Sequence, residues 1–134
     1  PVIFSGYGHF NQVIQDLQDF DASKTARLIG QAQAYVHAHI SECFSLADVA
    51  QQTGWSAHHF SKMFKQATGQ NFVDYLTDER MRMAREYLME RKDLTVEEIA
   101  AQVGYNSSAY FISKFKSKYQ MTPNTYRLIQ KSNE

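Results

Sequence analysis

The chain has 134 residues, enough for one compact core or for two small ones sharing a helix. Its 14 lysines and arginines balance 14 acids, which argues against a strong global field, and its one cysteine, Cys43, excludes a disulfide framework or a cysteine zinc cluster within the chain. No apolar run reaches membrane-spanning length and no signal-peptide layout is present, so a reducing, cytoplasmic setting with no membrane contact is expected.

Pro1 in place of an initiator Met points to a processed product or to a fragment of something longer. Residues 1–22 read as a tail or linker remnant, with a Gly6-Tyr-Gly8 turn and a short amphipathic stretch from Phe10 to Phe20. From about Thr25 to His39, Leu28, Ile29, Ala32, Tyr35, Val36 and Ile40 recur at helical spacing. Ser45 with Asp48, and Thr95 with Glu98, resemble capping boxes that each open a short helix. Gly54 and Gly104 stand where those helices need a left-handed residue to end. Further helices are predicted from about Ser56 to Ala67 and from about Asn106 to Tyr119. Between them, Asn71 caps a long helix to about Glu90, and Thr122-Pro123 starts a last one. No stretch alternates as a strand does, so the expected fold is all-α with about seven helices.

Two parts of this series are copies. Ser45-Leu-Ala-Asp-Val-Ala-Gln-Gln-Thr-Gly-Trp55 matches Thr95-Val-Glu-Glu-Ile-Ala-Ala-Gln-Val-Gly-Tyr105, and the Phe60, Phe64 and Lys65 pattern returns as Phe111, Phe115 and Lys116. A period near fifty residues means one supersecondary unit used twice, and helix, glycine turn, basic helix is a helix-turn-helix. The neutral total hides an uneven distribution. Residues 99–133 carry Lys114, Lys116, Lys118, Arg127 and Lys131 with no acid, and residues 49–73 carry Lys62 and Lys65 with none. Both second helices are therefore locally basic, as suits a protein that touches phosphates through a small footprint.

Gly104-Tyr105, Tyr110-Phe111, Phe115-Lys116, Met121-Thr-Pro123 and Tyr126-Arg127 together resemble the AraC-type DNA-binding domain of the AraC/XylS transcriptional regulators. Leu46, Val49-Ala50, Gly54, His59-Phe60, Phe64-Lys65, Gly69, Phe72 to Leu76, Arg80 and Ala84 agree in the first half. The likeness covers about Thr25 to Lys131, and the stretch from Phe72 to Met81 is similar to the output domains of some response regulators. It implies a DNA-binding domain over 23–134. Within it, one helix-turn-helix subdomain spans about 25–70, a connecting helix about 72–90, and a second subdomain about 95–131. A helix of that length runs roughly 28 Å at 1.5 Å per residue, near the roughly 34 Å of one DNA turn. The resemblance implies double-stranded DNA as partner, RNA polymerase as a second one, and no cofactor; any dimerisation would fall to regions outside this stretch.

By match to the family's base-reading positions, His58, Ser61 and Lys62 would read bases in the first subdomain, with Lys65 on phosphate. In the second, Ser107, Ser108, Ala109, Ile112 and Ser113 fall at reading positions, with Lys114, Lys116 and Lys118 near the backbone. The family often has Arg or Lys at the position of Ser113, and Gly at that of Gln120, so the second copy departs from the pattern twice. Helix starts at Ser45, Thr95 and Thr122 offer N–H groups to further phosphates.

Other residues have plainer readings. Trp55 and Tyr105 are expected to be core aromatics, His59 a packing residue, Cys43 a small buried side chain, and Arg80 a buried ion pair with an acid of the first repeat. His37 and His39 point different ways on a helix, which disfavours a metal site. No residue set matches a catalytic motif, so no enzyme is expected. The competing function is a helical protein-interaction domain without DNA binding.

Overall fold

The computed structural model describes residues 22–132, so the tail residues 1–21, with the stretch from Phe10 to Phe20, lie outside the described residues. Among the described residues the chain is all-helical, in the order α1 (Ala22–Ala38), α2 (Leu46–Gln51), α3 (Ala57–Thr68), α4 (Phe72–Glu90), α5 (Val96–Gln102), α6 (Ser108–Tyr119) and α7 (Pro123–Ser132). Two compact units result. Within the described residues, one contains 22–35 and 46–71, and the other 36–45 and 72–132. The long helix α4 groups with the second unit, and the end of α1 joins it there.

Local chemistry explains the element boundaries. Ser56 caps α3 by accepting the His59 N–H, Thr95 caps α5 by accepting the Glu98 N–H, and Ser107 caps α6 by accepting the Tyr110 N–H. Each side-chain oxygen satisfies an N–H that the helix itself leaves without a partner. At the other end of α3, Gly69 takes a left-handed conformation and sends its N–H to the Lys65 carbonyl. Gln120 does the same after α6 at φ 64°, with its N–H on the Lys116 carbonyl. A side chain in that region is strained by about 1 kcal/mol. Gln120→Gly should raise the melting stability by up to about 1 kcal/mol, part of the relief being offset by glycine's looser unfolded chain; a thermal melt reads this directly.

In the first unit α2 packs on α3, and the buried apolar side chains are Leu28, Ile29, Ala32, Val49, Ala50, Phe60, Met63 and Phe64. The second unit packs α4 against α5 and α7, and α6 against both α5 and α7. Its core joins Met81, Ala84 and Leu88 of α4 to Val96, Ile99, Ala100, Val103, Phe111 and Phe115. Phe115 sits in a nest of rings, 6.0 Å from Phe111, 4.7 Å from Tyr119 and 5.8 Å from Tyr126 between centroids. Full burial of a ring such as Phe111 or Phe115 contributes about 1.5–3 kcal/mol.

Three guanidinium groups organise the second unit. Arg80 is buried, but its partner is not a carboxylate of the first repeat, contrary to the expectation from sequence. Its Nη1 donates to the Val103 carbonyl at 2.9 Å, and its charge lies 5.5 Å from the Phe44 ring and 5.7 Å from that of Tyr105. Burial lowers its pKa. A backbone carbonyl and two π faces replace the ion pair, because the turn after α5 brings its unpaired carbonyl to the guanidinium. Arg127 spans the end of α4, donating to the carbonyls of Leu88, Leu94 and Arg91 at 3.2, 2.8 and 3.2 Å. Arg82 bridges Glu79 and Glu86, each at 2.7 Å, and Glu79 also accepts from His37 at 2.7 Å.

Burial acts to raise the Glu79 pKa, yet the hydrogen bonds from Arg82 and His37 outweigh it and hold the carboxyl below its ordinary 4.5. A carboxylate with a depressed folded pKa stabilises the fold above its unfolded value, and that contribution is lost as pH falls through the folded one. Stability should therefore decline on acidification below the ordinary value of 4.5. Glu79→Gln should flatten that acid limb, as read from melting temperatures across the acid range.

Candidate nucleic-acid interface

Each unit presents its second helix in the same way. In α3 the buried stripe is Phe60, Met63 and Phe64, spaced so that His58, Lys62 and Lys65 fall on the exposed side while Ser61 is half-buried between them. In α6 the stripe is Phe111 and Phe115, which leaves Ala109, Ser113, Lys114, Lys116 and Lys118 exposed and Ser108 half-buried. Neither helix has an acid in its first turn, and both carry lysine in their last, Lys65 in α3 and Lys116 with Lys118 in α6. The duplicated phenylalanines are thus what turn the basic residues outward.

The expected reading residues divide by environment. His58 and Lys62 stand in solvent, and Ser61 is partly covered. Ile112 is half-buried and packs against the second unit's core, so only part of it can face a ligand. Ser107, also expected at a reading position, spends its hydroxyl on the α6 cap. Lys118 donates to Asp78 at 2.5 Å, so a phosphate would compete with a carboxylate for it. Lys114 lies over the Tyr110 ring, 5.5 Å from its centroid. Tyr110 itself is 54% exposed, a placement that the Tyr110-Phe111 signature does not reveal. The phase of α6 contains the missing signal: one residue before the buried Phe111, position 110 lies off the apolar stripe.

The helix starts differ too. α2 carries Asp48 in its first turn, and α5 carries Glu97 and Glu98, with the Thr95 hydroxyl engaged by the Glu98 N–H and set 3.2 Å from its carboxylate. At Ser45 and Thr95 those acids already answer the positive helix end and oppose a second anion. The start of α7 has none, and Thr122 accepts the Thr125 N–H there at 3.2 Å. Trp55 and Tyr105 are half-buried beside their turns, and His59 packs edge-on against Trp55 at 5.3 Å, as a packing role requires. Cys43 is exposed, contrary to the expectation of burial, because it lies with Ser41 and Glu42 in an exposed stretch of the loop between α1 and α2, where no helix stripe turns it inward.

Two helix-turn-helix units with outward basic second helices define a duplicated DNA-binding architecture. Comparison with known proteins agrees. A family described as "Helix-turn-helix domain" matches residues 49–128, more than half of the chain. Regulatory protein PocR of Salmonella typhimurium is 36% identical over 117 residues, covering 82% of this chain and 38% of PocR. The C-terminal domain of the two-component response regulator yesN from Fusobacterium nucleatum superposes with a TM-score of 0.67 at 37% identity, covering 72% of this chain and 93% of that one. The DNA-binding domain of AdpA, solved in complex with a target DNA, shares the fold with a TM-score of 0.72 at 23% identity, covering 82% of this chain and 95% of that one. The chain belongs to the helix-turn-helix domain family and is an AraC-type DNA-binding domain. It spans well under half the length of PocR. No helix among the described residues is long and apolar enough to cross a membrane.

Proposed function

We propose that α3 and α6 each enter a major-groove segment of one DNA duplex, so that a single chain reads a bipartite site. The observation that supports this most is the pair of acid-free second helices, each with its phenylalanines buried and its lysines outward. A major groove about 12 Å wide admits one such helix. His58, Ser61 and Lys62 would meet base edges in one block, with Lys65 on the adjoining phosphate. Ser108, Ala109, Ile112 and Ser113 would line the other block, with Lys114 and Lys116 on its backbone and Lys118 joining them by exchanging Asp78 for a phosphate. Among the helix starts, Thr122 is the favoured anchor, and Ser45 and Thr95 contribute less because of their neighbouring acids. RNA polymerase as the regulated partner, dimerisation through regions outside this stretch and a cytoplasmic location complete the reading.

Selection of bound duplexes from a random pool should return two short blocks about one helical turn apart, that under His58 to Lys62 the sharper. The affinity should fall with salt at a slope set by roughly 4–8 phosphate contacts; a slope near zero would sink the reading in favour of a protein-interaction domain. Lys62→Ala should relax one position of the first block by about 1–3 kcal/mol, whereas Lys116→Ala should weaken all sequences alike.

A further inference from the structure

We infer that Tyr110 is a base-reading residue of the second helix, its ring reading a thymine methyl with Lys114 held beside it for the adjoining phosphate. This rests on the DNA-binding reading and changes where the second unit's specificity comes from. The exposed reading positions of α6 are otherwise small, Ala109 and Ser113, and no guanidinium occurs anywhere in the helix. Tyr110 is the one aromatic among the large apolar side chains left exposed in the described residues, and the only one of them on a reading helix.

The two copies treat this position in opposite ways. In the first, the matching His59 turns back edge-on to Trp55 at 5.3 Å and is half-buried. In the second, the Tyr110 ring also touches its turn aromatic, Tyr105, at 5.8 Å between centroids, yet leaves 54% of its surface in solvent. Its hydroxyl meets no hydrogen-bond partner among the described residues, while its backbone N–H is fixed on the Ser107 cap. The ring is thus seated at its root and open at its tip. Lys114, one turn on, holds its ammonium 5.5 Å from the ring centroid, where the π face attracts it. An apolar face set beside small hydroxyls suits the thymine C5 methyl, the one apolar group that a major groove displays.

The test uses the duplex selected by the unaltered protein, and variants of it in which each thymine of the second block is replaced singly by deoxyuridine, which removes only the methyl. At one position the loss of the methyl should weaken the unaltered protein and Tyr110→Phe about fivefold or more, while leaving Tyr110→Ala unaffected. Lys114→Ala should keep that discrimination and lower the salt slope by about one. The inference is overturned if Tyr110→Ala responds to every deoxyuridine as the unaltered protein does, or if it weakens all sequences equally. Circular dichroism melts of Tyr110→Ala and Tyr110→Phe establish that both remain folded. Absence of salt-dependent duplex binding by the unaltered protein would remove the underlying DNA reading instead.

Discussion

Gly104→Ala is expected to destabilise the second helix-turn-helix unit by about 2–5 kcal/mol, a large share of the roughly 5–15 kcal/mol that holds a domain folded. Two effects combine. Gly104 has φ +93°, a region an alanine occupies at a cost of about 1–2 kcal/mol. A Cβ there would also lie 1.5 Å from Arg80 Nη1 and 2.5 Å from the Ile40 carbonyl oxygen, so the guanidinium has to leave. Its departure strands the Val103 carbonyl and gives up the Phe44 and Tyr105 rings, costing about 1–3 kcal/mol more. The internal control is Gly54→Ala in the first copy. Gly54 has a similar φ of +79°, but a Cβ there meets nothing within 4 Å, so only the backbone cost of about 1 kcal/mol is expected. Urea denaturation of the two variants should show the inequality, and equal losses would refute the role given to Arg80. In an Arg80→Ala background the Gly104→Ala penalty should shrink, since the guanidinium no longer needs displacing.

Phe115→Ala should cost about 3–5 kcal/mol as well, through a different cause. Phe115 is fully buried and packed at tilted and edge-on angles among Phe111, Tyr119 and Tyr126, so truncation opens a cavity that three rings can only partly fill. Because those rings seat α6 against α7, the lost packing should also loosen the helix that carries Ser113 and Lys114. The expected binding result is selective: preference in the second DNA block fades, while the block under His58 to Lys62 persists. Denaturant melts give the stability change, and selection from a random duplex pool gives the block-by-block effect. Uniform loss from both blocks would show that the two units do not hold their reading helices independently.

Much of this architecture was legible because its causes are local. The hydroxyl of Thr95, the left-handed Gly54 and Gly104, and the paired phenylalanines each act within a few residues, so spacing alone places them. The lysine-bearing face of each second helix follows from that phase. Long-range partners were not legible. Arg80 found the Val103 carbonyl 23 residues away, and Lys118 found Asp78 at a separation of 40. Arg127, counted in sequence as part of a basic surface, turned to the carbonyls at the end of α4. Charge counts miss such cases, because a guanidinium serves buried carbonyls as readily as phosphates.

By itself the amino-acid order determined the all-α class, the duplication, the family and the outward basic helices. These depend on periodicity, caps and burial of apolar stripes, which are properties of neighbouring residues. Only the tertiary structure decided how the copies diverge: Gly104 is closed in by Arg80 while Gly54 is open, and His59 is folded onto Trp55 while Tyr110 stands in solvent. Whether a side chain is consumed or left available depends on which atoms arrive beside it from elsewhere in the chain, and neither spacing nor composition records that.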